Sequence, residues 1–399
     1  MWEGEANVEF VEKDVREASL KPTEGRVKSL RPFAMQSLSR KGPVFADHNS
    51  IYSKEARPDD ISFPSTRFYG SKRRQLTWLR EEFKSLEGVT ALDAFGGTGA
   101  VSHLLRDLGW ETTYNDIFEF NIISARTLFS DSTHRLSEDT LLKFLNRVRP
   151  TEGFITATFE GLYFTTQENM WLDGFMACLP SELEKNRDLL LHCLFQACLK
   201  KRPFNLFHRA NLNLRHSEMP VQFGNRSTWN KSFDTHILTT YREVQLAQTA
   251  RAQSIQVTSG LCAGKIAPGF DLVYLDPPYF KRAKRNTETY LERYHFLEGL
   301  ARYDEWPSLI DQNSSLRAIK RPYRLEWTNK QELLVNLQHM IKKHSGAKFA
   351  LSYVADEEPT EEELFNLFRE NFDRVRLSRR SFNRVLSKKR PFEILLIGQ

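Results

Sequence analysis

Ten residues in the second half of the chain, DLVYLDPPYF at 271–280, limit the fold more than any other stretch. The apolar run Leu272 to Leu275 is typical of a buried strand in a parallel sheet. Two consecutive prolines follow Asp276, and because proline cannot donate to a strand ladder, the chain has to leave the sheet there. Open α/β sheets bind ligands at the carboxyl ends of their strands. We therefore expect Asp276 and Tyr279 at the mouth of a ligand-binding crevice.

The group Asp276-Pro277-Pro278-Tyr279 fits methylation of an exocyclic amine on a nucleobase. The amine nitrogen of adenine is a poor nucleophile, because its lone pair is delocalised into the ring. A carboxylate and a backbone carbonyl can each accept one N–H and leave the lone pair free, while the tyrosine ring stacks on the base. The same four residues also suit a strand followed by a plain proline-rich turn. Upstream motifs therefore decide between these interpretations.

Composition narrows the class of protein. The chain has 399 residues, 40% of them hydrophobic and 27% charged, and a net charge of +6. The composition is ordinary for a globular protein of two or three domains. The positive net charge mildly favours a polyanionic partner. No apolar run approaches the roughly 20 residues of a membrane helix, and the N-terminus resembles no signal peptide, so we expect a cytoplasmic protein without membrane contact. The four cysteines show no metal-binding spacing and predict buried thiols and no metal site: Cys178, Cys193, Cys198 and Cys262.

A glycine turn lies between a predicted strand and a predicted helix at 89–107. The pattern predicts a strand over Val89–Leu92, the turn Phe95–Gly99 and a helix over Ala100–Asp107. Glycines let the backbone approach a ligand closely, and the start of a helix favours negative charge. The spacing F-x-G-x-G differs from the dinucleotide fingerprint. A second short strand then ends at Asp116, about twenty residues on, where a carboxylate can accept from ribose hydroxyls.

The segment RFYGSKRRQLTWL at 67–79 precedes the glycine turn. Gly70 permits a tight backbone approach, and Ser71 can cap a helix over Arg73–Phe83. Lys72 would then lie near the positive end of that helix, where a carboxylate is readily held. An ordinary basic amphipathic helix is the alternative, but the glycine turn that follows favours a ligand site.

Taken in chain order, these motifs resemble those of a DNA adenine N6-methyltransferase of the Dam type, a group with the alpha order of motifs. A G-x-K segment, F-x-G-x-G, a target recognition block and DPPY follow one another, and the resemblance covers roughly residues 65–399. It implies an α/β fold, a Rossmann-like, mainly parallel seven-stranded methyltransferase sheet dependent on S-adenosylmethionine, with an inserted, mostly helical recognition domain. The expected domains are an extension at 1–60, a catalytic domain at 61–127 and 251–399, and the recognition domain at 128–250.

The resemblance also implies roles for individual residues. Asp276 and the Pro277 carbonyl would hold the target amine, and Tyr279 would stack on the flipped base, with Pro278 completing the catalytic motif. Lys72 would meet the methionine carboxylate of the cofactor, and Asp116 its ribose. The full implied S-adenosylmethionine site is Tyr69, Gly70, Lys72, Asp93, Phe95, Gly97, Asp116 and Asp276.

Two positions depart from the family pattern. Ala94 replaces a proline that is common after the first acid. More importantly, a predicted strand at 254–258, SIQVT, leads into SGLC at 259–262 with no acid to hold the adenine amine of the cofactor. Backbone groups or Ser259 are the candidates for that contact, and the sequence leaves the choice open.

Contacts with DNA are predicted in two stretches. Residues 205–231 interleave Asn, Arg and His with aromatic residues, and Arg and Asn can discriminate bases by roughly 1–3 kcal/mol each. This stretch resembles the family segment N-x-x-x-R-x-N followed by P-x-x-G, and the matching residues are Asn205, Arg209, Asn211, Pro220 and Gly224. The basic run after DPPY, including Lys281 and Arg282, would contact phosphates. A solvated loop and a solvated charge run are the respective alternatives.

The remaining C-terminal residues are predicted to complete the sheet. A crossover helix over Leu333–His344 precedes a strand over Ala347–Tyr353, and a helix over Glu361–Phe372 precedes two last strands that begin at Val375 and Phe392. Residues 290–298 resemble the YHFLE-like segment that follows DPPY in the family. We assign His295, within that segment, to packing.

The predicted activity is methylation of adenine N6 in a specific double-stranded DNA sequence, after the base has flipped out of the helix. By resemblance, the protein would be the modification component of a restriction–modification system, or an orphan or phage methylase. Its expected partners are double-stranded DNA and a cognate restriction endonuclease, and the chain would be a monomer or weak dimer. Three alternatives stay open: an RNA adenine N6-methyltransferase, a DNA cytosine N4-methyltransferase, in which serine usually replaces Asp276, and a catalytically inert DNA-binding regulator.

Overall fold

A computed structural model describes residues 63–64, 68, 70–129, 136–182, 184–216, 226–249, 255–280, 289–320, 326–381 and 392–399. The strands are β1 (Thr90–Asp93), β2 (Glu111–Tyr114), β3 (Gln256–Val257), β4 (Leu272–Leu275), β5 (Lys348–Val354), β6 (Val375–Ser381) and β7 (Phe392–Gly398). The helices are α1 (Leu76–Phe83), α2 (Ala100–Asp107), α3 (Glu119–Phe129), α4 (Glu138–Arg147), α5 (Phe154–Thr158), α6 (Thr166–Cys178), α7 (Glu184–Lys201), α8 (Asn213–His216), α9 (Arg226–Trp229), α10 (Phe233–Thr249), α11 (Tyr290–Ala301), α12 (Trp306–Leu309), α13 (Lys330–Lys343) and α14 (Glu361–Asn371).

All seven strands belong to one sheet, in the order β3-β2-β1-β4-β5-β7-β6. The strands from β3 to β5 pair in parallel, whereas β7 runs antiparallel to both of its neighbours, β5 and β6. The predicted mainly parallel, seven-stranded methyltransferase-like sheet is therefore confirmed. The direction in which the chain adds strands reverses between β1 and β4, and this topological switch point is where open α/β sheets bind ligands.

Helices cover both faces of the sheet, which explains why its central strand is apolar throughout. Leu272 and Tyr274 of β4 belong to the core beneath α1 and α2, while Val273 and Leu275 belong to the core beneath α13 and α14. Successive side chains of a strand point to opposite faces, so a strand covered on both sides needs an uninterrupted apolar run. The prediction of β4 from this run is confirmed residue by residue.

The block predicted for target recognition is helical and shares its packing with the rest of the chain. Leu194 of α7 lies in a third apolar core, together with Phe296 of α11. Val244 of α10 instead lies in the core beneath α1 and α2. Helices of this block therefore contribute to the third core and also to a core of the sheet. The division of the block from the catalytic domain at 128 and 250 stays a prediction.

Several predicted elements differ from the observed ones at their ends: α13, for example, begins at Lys330 and not at Leu333, and β5 covers Lys348–Val354. β1 begins at Thr90 because Val89, predicted to start it, is 58% exposed and lies outside the buried part of the sheet. The helix predicted from Arg73 begins with a 3₁₀ turn over Lys72–Gln75 and becomes α-helical only at α1. Ser71 nevertheless caps this turn as predicted, by accepting a hydrogen bond from the backbone N–H of Arg73 at 3.4 Å.

The cysteines are free thiols, of which Cys193, Cys198 and Cys262 are buried and Cys178 half-buried. Burial raises the pKa of Cys193 to about 12, so this thiol stays protonated. Within the ranges given above, no group of three or more His, Cys, Asp or Glu side chains is arranged to hold a metal ion. No helix in those ranges is both long and apolar enough to cross a membrane.

Candidate active site

Two turns that carry the predicted motifs leave the sheet side by side. β1 and β4 are paired, with Asp93 opposite Tyr274, so the glycine turn and the DPPY segment emerge at the same edge of the sheet. Both turns line one pocket. Of the residues predicted from sequence, the pocket is lined by Gly70, Lys72, Asp93, Phe95, Gly97, Asp116, Asp276, Pro278 and Tyr279. Tyr69 lies outside the described residues.

The glycine turn needs glycine for reasons of space and of backbone conformation. A Cβ on Gly96 would lie 2.1 Å from the ring of Tyr114, so no residue with a side chain fits at position 96. Gly97 has φ +49, in the left-handed region that other residues rarely adopt. The Tyr114 hydroxyl also donates a hydrogen bond of 2.8 Å to the Gly97 carbonyl. Tyr114 of β2 therefore packs against the glycine turn and holds its backbone conformation.

Asp116 fastens this turn to the next segment of the chain. Its Oδ2 accepts a hydrogen bond from the backbone N–H of Gly97 at 2.9 Å, and its Oδ1 accepts from the N–H of Phe118 at 2.9 Å. Burial raises the pKa of Asp116, and these N–H donors oppose that rise. The predicted contact with a ribose stays a prediction, and the structure adds a positioning role that the sequence did not suggest.

Asp93 has a carboxylate oxygen that needs a partner. Its Oδ2 accepts a hydrogen bond of 2.6 Å from the Ser102 hydroxyl, whereas its buried Oδ1 has no hydrogen-bond partner among the residues that the structure describes. Burial raises the pKa of Asp93 to about 7, and the nearby Asp276 carboxylate also raises it, while Ser102 opposes both effects. Buried polar atoms are nearly always paired, so this oxygen marks a place for a donor or a cation.

Lys72 connects the first motif to DPPY. Its ammonium group lies 2.7 Å from Asp276 Oδ1 and 3.0 Å from Glu393 Oε1, and it also donates to the Tyr279 hydroxyl. The side chain is only 5% exposed. Burial alone would lower the pKa of Lys72, but the charges of Asp276 and Glu393 raise it well above its usual range. Lys72 therefore carries a positive charge within the site.

Tyr279 completes this cluster as a neutral hydroxyl. It donates a hydrogen bond of 2.7 Å to Asp276 Oδ1, and its ring packs edge-on against Tyr353 at 5.1 Å. Burial and the adjacent Asp276 charge raise the pKa of Tyr279 well above its usual range. Lys72 was expected to meet the cofactor, and here its ammonium contacts DPPY. We call Lys72, Asp276, Tyr279 and Glu393 the catalytic cluster.

Glu393 was not predicted from the sequence as a residue of the site. It lies in β7 and is buried, and its signal is one acid near the start of an otherwise apolar terminal strand. Acids on such strands are rarely buried unless they are paired. That rule could have raised a question about Glu393, but it could not have identified Lys72 as the partner.

The loop predicted to contact DNA is held from beneath by one arginine. The fully buried Arg202 donates to the backbone carbonyls of Tyr163 at 3.1 Å, Leu206 at 3.2 Å and Arg209 at 2.5 Å. The Arg209 side chain is exposed. Asn205 and Asn211 adopt left-handed backbone conformations, which asparagine tolerates better than most residues. Pro220, Gly224, Lys281 and Arg282 lie outside the described residues.

The same loop is attached to the helix that borders the pocket. The Phe207 N–H donates to the Arg293 carbonyl at 2.9 Å, and the Phe207 ring stacks on Phe296 with centroids 5.0 Å apart. Arg293 of α11 lines the pocket. His295 of α11 is buried against Tyr163, with 2.9 Å between its Nε2 and the Tyr163 hydroxyl, as the packing role predicts.

An exposed aromatic residue lies at the start of this loop. Phe204 is 47% exposed and has φ 64, a strained conformation for a residue other than glycine. It directly precedes Asn205 at the start of the loop. The sequence predicts no role for Phe204, because one more phenylalanine in a phenylalanine-rich chain gives no local signal.

Comparison with known protein families matches residues 68–305 to the family described as D12 class N6 adenine-specific DNA methyltransferase. The matched range covers more than half of the chain and contains the glycine turn, the loop held by Arg202, and DPPY. A search of curated proteins finds no match.

Proposed function

The chain belongs to the D12 class N6 adenine-specific DNA methyltransferase family, and from this premise we propose that it uses S-adenosylmethionine to methylate adenine within a specific double-stranded DNA sequence. Members of this family methylate adenine N6 in DNA. Family membership therefore argues against the three alternatives considered from sequence: methylation of cytosine N4, methylation of RNA, and an inert regulator. We further propose the Dam-type subclass and the role of modification component of a restriction–modification system, or of an orphan or phage methylase.

One observation carries this proposal: a single pocket joins the glycine turn to the catalytic cluster at the topological switch point. S-adenosylmethionine supplies an electrophilic methyl group on a sulfonium centre. The residues present suit such a cation, because Asp93 offers an oxygen that has no hydrogen-bond partner in the described part of the chain, and Gly97 lines the same pocket. We assign Asp93 and the glycine turn to the methionine part and Asp116 to the ribose.

The catalytic cluster orients the acceptor for the target amine. Lys72 and Tyr279 both bond to Asp276 Oδ1. We therefore assign Oδ2 of Asp276 and the Pro277 carbonyl as the acceptors of the two amine hydrogens. These contacts draw the nitrogen lone pair out of conjugation without a strong base, and holding both groups in place in advance lowers the entropic part of the barrier.

Affinity for S-adenosylmethionine is expected to rise as the pH increases through about 7. Burial raises the pKa of Asp93 to about 7, so the free protein holds a proton there at lower pH. A bound cation favours the ionised carboxylate, and binding below pH 7 must therefore release that proton, at a cost of up to about tenfold in affinity per pH unit. Titration calorimetry across this range measures the slope. Asp93→Asn should abolish it, and a slope that persists in Asp93→Asn contradicts the assignment.

Arg202→Met is expected to loosen the DNA-contacting loop and spare the cofactor pocket. The change removes the donors to the carbonyls of Tyr163, Leu206 and Arg209, and each unpaired buried acceptor costs about 1–3 kcal/mol. We expect affinity for the cognate duplex to fall about tenfold or more, with reduced preference over other sequences. Fluorescence anisotropy at fixed salt measures both. Arg187→Gln, at an exposed position of the preceding helix α7, is the control. Unchanged sequence preference in Arg202→Met contradicts this role.

The decisive test of the proposed function is incorporation of labelled methyl from S-adenosylmethionine into unmethylated genomic DNA, followed by single-molecule sequencing. N6-methyladenine in one short sequence context supports it and supplies the specificity. Scattered methylation, or none, contradicts the site-specific activity. Protection of methylated DNA against an endonuclease encoded beside this protein tests the restriction–modification role, and light scattering tests the expected monomer or weak dimer.

A further inference from the structure

We propose that Glu326 holds the exocyclic amine of the cofactor's adenine and so makes this enzyme selective for an adenine-bearing methyl donor. The inference rests on the proposed use of S-adenosylmethionine. It answers a question that the sequence leaves open, because the segment after β3 contains no acid for this contact. The structure places an acid at that segment from a distant part of the chain.

The order of the strands indicates where the adenine lies. β4, β1, β2 and β3 are neighbours in that order, and the DPPY segment, the glycine turn and Asp116 follow the first three. A donor with its methyl group towards Asp276, its methionine part at Asp93 and its ribose at Asp116 has its base one strand further along, at the turn after β3. Leu261, Cys262 and Ala263 of that turn line the same pocket as Asp276. Ser259, the side chain considered from sequence, is absent from the described lining of this pocket.

Glu326 lies directly against this turn. Its Oε2 accepts a hydrogen bond of 3.2 Å from the Cys262 thiol, and a Cβ on Gly264 would lie 3.8 Å from the same oxygen. Asn336 of α13 donates to the Glu326 backbone carbonyl, which fixes the segment on the core. The next residue, Trp327, packs edge-on against Phe95 of the glycine turn at 5.0 Å. Glu326 and Trp327 therefore line the pocket between the turn after β3 and the glycine turn.

The chemistry of these groups fits an aromatic amine. A carboxylate is an acceptor only, and the adenine amine presents two donors. Burial raises the pKa of the Cys262 thiol, with Glu326 adding to the rise, so the thiol stays a weak donor that a stronger one can replace. Trp327 and Ile117 also line the pocket and supply apolar surface for a flat base. A carboxylate beside such surface favours adenine over a base with a carbonyl at the same position.

Calorimetric binding of S-adenosylhomocysteine and S-inosylhomocysteine tests this assignment without relying on catalysis. The second ligand replaces the amine with a carbonyl, which Glu326 should repel. We expect the unaltered enzyme to prefer the adenine ligand about ten- to a hundredfold, because hydrogen bonds to charged groups are worth that much. Glu326→Gln should weaken S-adenosylhomocysteine about tenfold and bind the inosine ligand as well or better, since an amide can donate to the carbonyl.

Glu362→Gln is the control, because Glu362 is an exposed acid of α14 that is absent from the described lining of the pocket. It should keep the adenine preference. An unchanged preference in Glu326→Gln, or none in the unaltered enzyme, overturns the role of Glu326 and leaves the proposed function standing. If the unaltered enzyme binds neither ligand, the proposed cofactor fails, and this inference fails with it.

Discussion

Asp276→Ala is expected to lower the rate of methyl transfer by about 10³-fold, a loss typical of removing one preorganised polar group from an active site. The variant lacks the carboxylate that we assign to the target amine. Cofactor binding should survive, because Asp93, Gly97 and Asp116 keep their contacts. Single-turnover methylation measures the first effect and calorimetry with S-adenosylhomocysteine the second.

Asp304→Asn provides the control for this experiment, since Asp304 is an exposed acid just beyond α11. It should leave both rate and binding unchanged. Within the catalytic cluster of Asp276→Ala, Lys72 keeps its contact with Glu393 at 3.0 Å, so the fold should hold. Equal losses of transfer and of cofactor binding would falsify the catalytic assignment and make Asp276 a structural residue.

Lys72→Met is expected to reduce the free energy of unfolding by about 3–5 kcal/mol, the usual cost of removing one partner from a buried ion pair. Asp276 and Glu393 share the Lys72 ammonium, and Lys72 and Glu393 are both nearly inaccessible to solvent. Without it, two carboxyl groups are left in the cluster with no cation between them. Methyl transfer should also fall, because Asp276 loses the contact that orients it. The urea midpoint and the methylation rate measure the two effects.

The double variant Lys72→Met, Glu393→Gln separates charge from geometry. Removing the charge of Glu393 should recover much of the lost stability, because only one of the two carboxylates that contact Lys72 then stays charged without that ammonium. Activity should stay low, since Asp276 still lacks its bond to Lys72. A single variant as stable as the unaltered protein contradicts the charge argument. Full recovery of activity in the double variant contradicts the orienting role.

Local patterns predicted the central elements well. β4 and α2 have the predicted bounds, because an apolar run ended by prolines and a helix started by a glycine turn are both specified within a few residues. β3 was less accurate, with two observed residues against five predicted at 254–258, of which Ser254 lies outside the described residues. A short strand at the sheet edge depends on pairing with β2 more than on its own sequence.

Side-chain partners were predicted less well than positions. Asp116 lies in the pocket as expected, yet both its oxygens bond to backbone N–H groups. Lys72 also lies in the pocket, but its partners come from DPPY and β7. The sequence indicated which residues meet at the carboxyl edge. It could not indicate which of them bond to one another, because that depends on side-chain directions and distances of a few ångströms.

The sequence by itself determined the class of sheet and the position of the crevice, and it predicted the chemistry of Asp276 and Tyr279. These conclusions follow from motifs that each come directly after a strand, because parallel strands end at the same edge of the sheet. Only the tertiary structure brought Glu393, Arg202 and Glu326 to groups that are distant in the chain. Their respective partners there are Lys72, the Tyr163 carbonyl and Cys262. Strand order and helix packing bring such segments together, and no local pattern of residue types encodes that meeting.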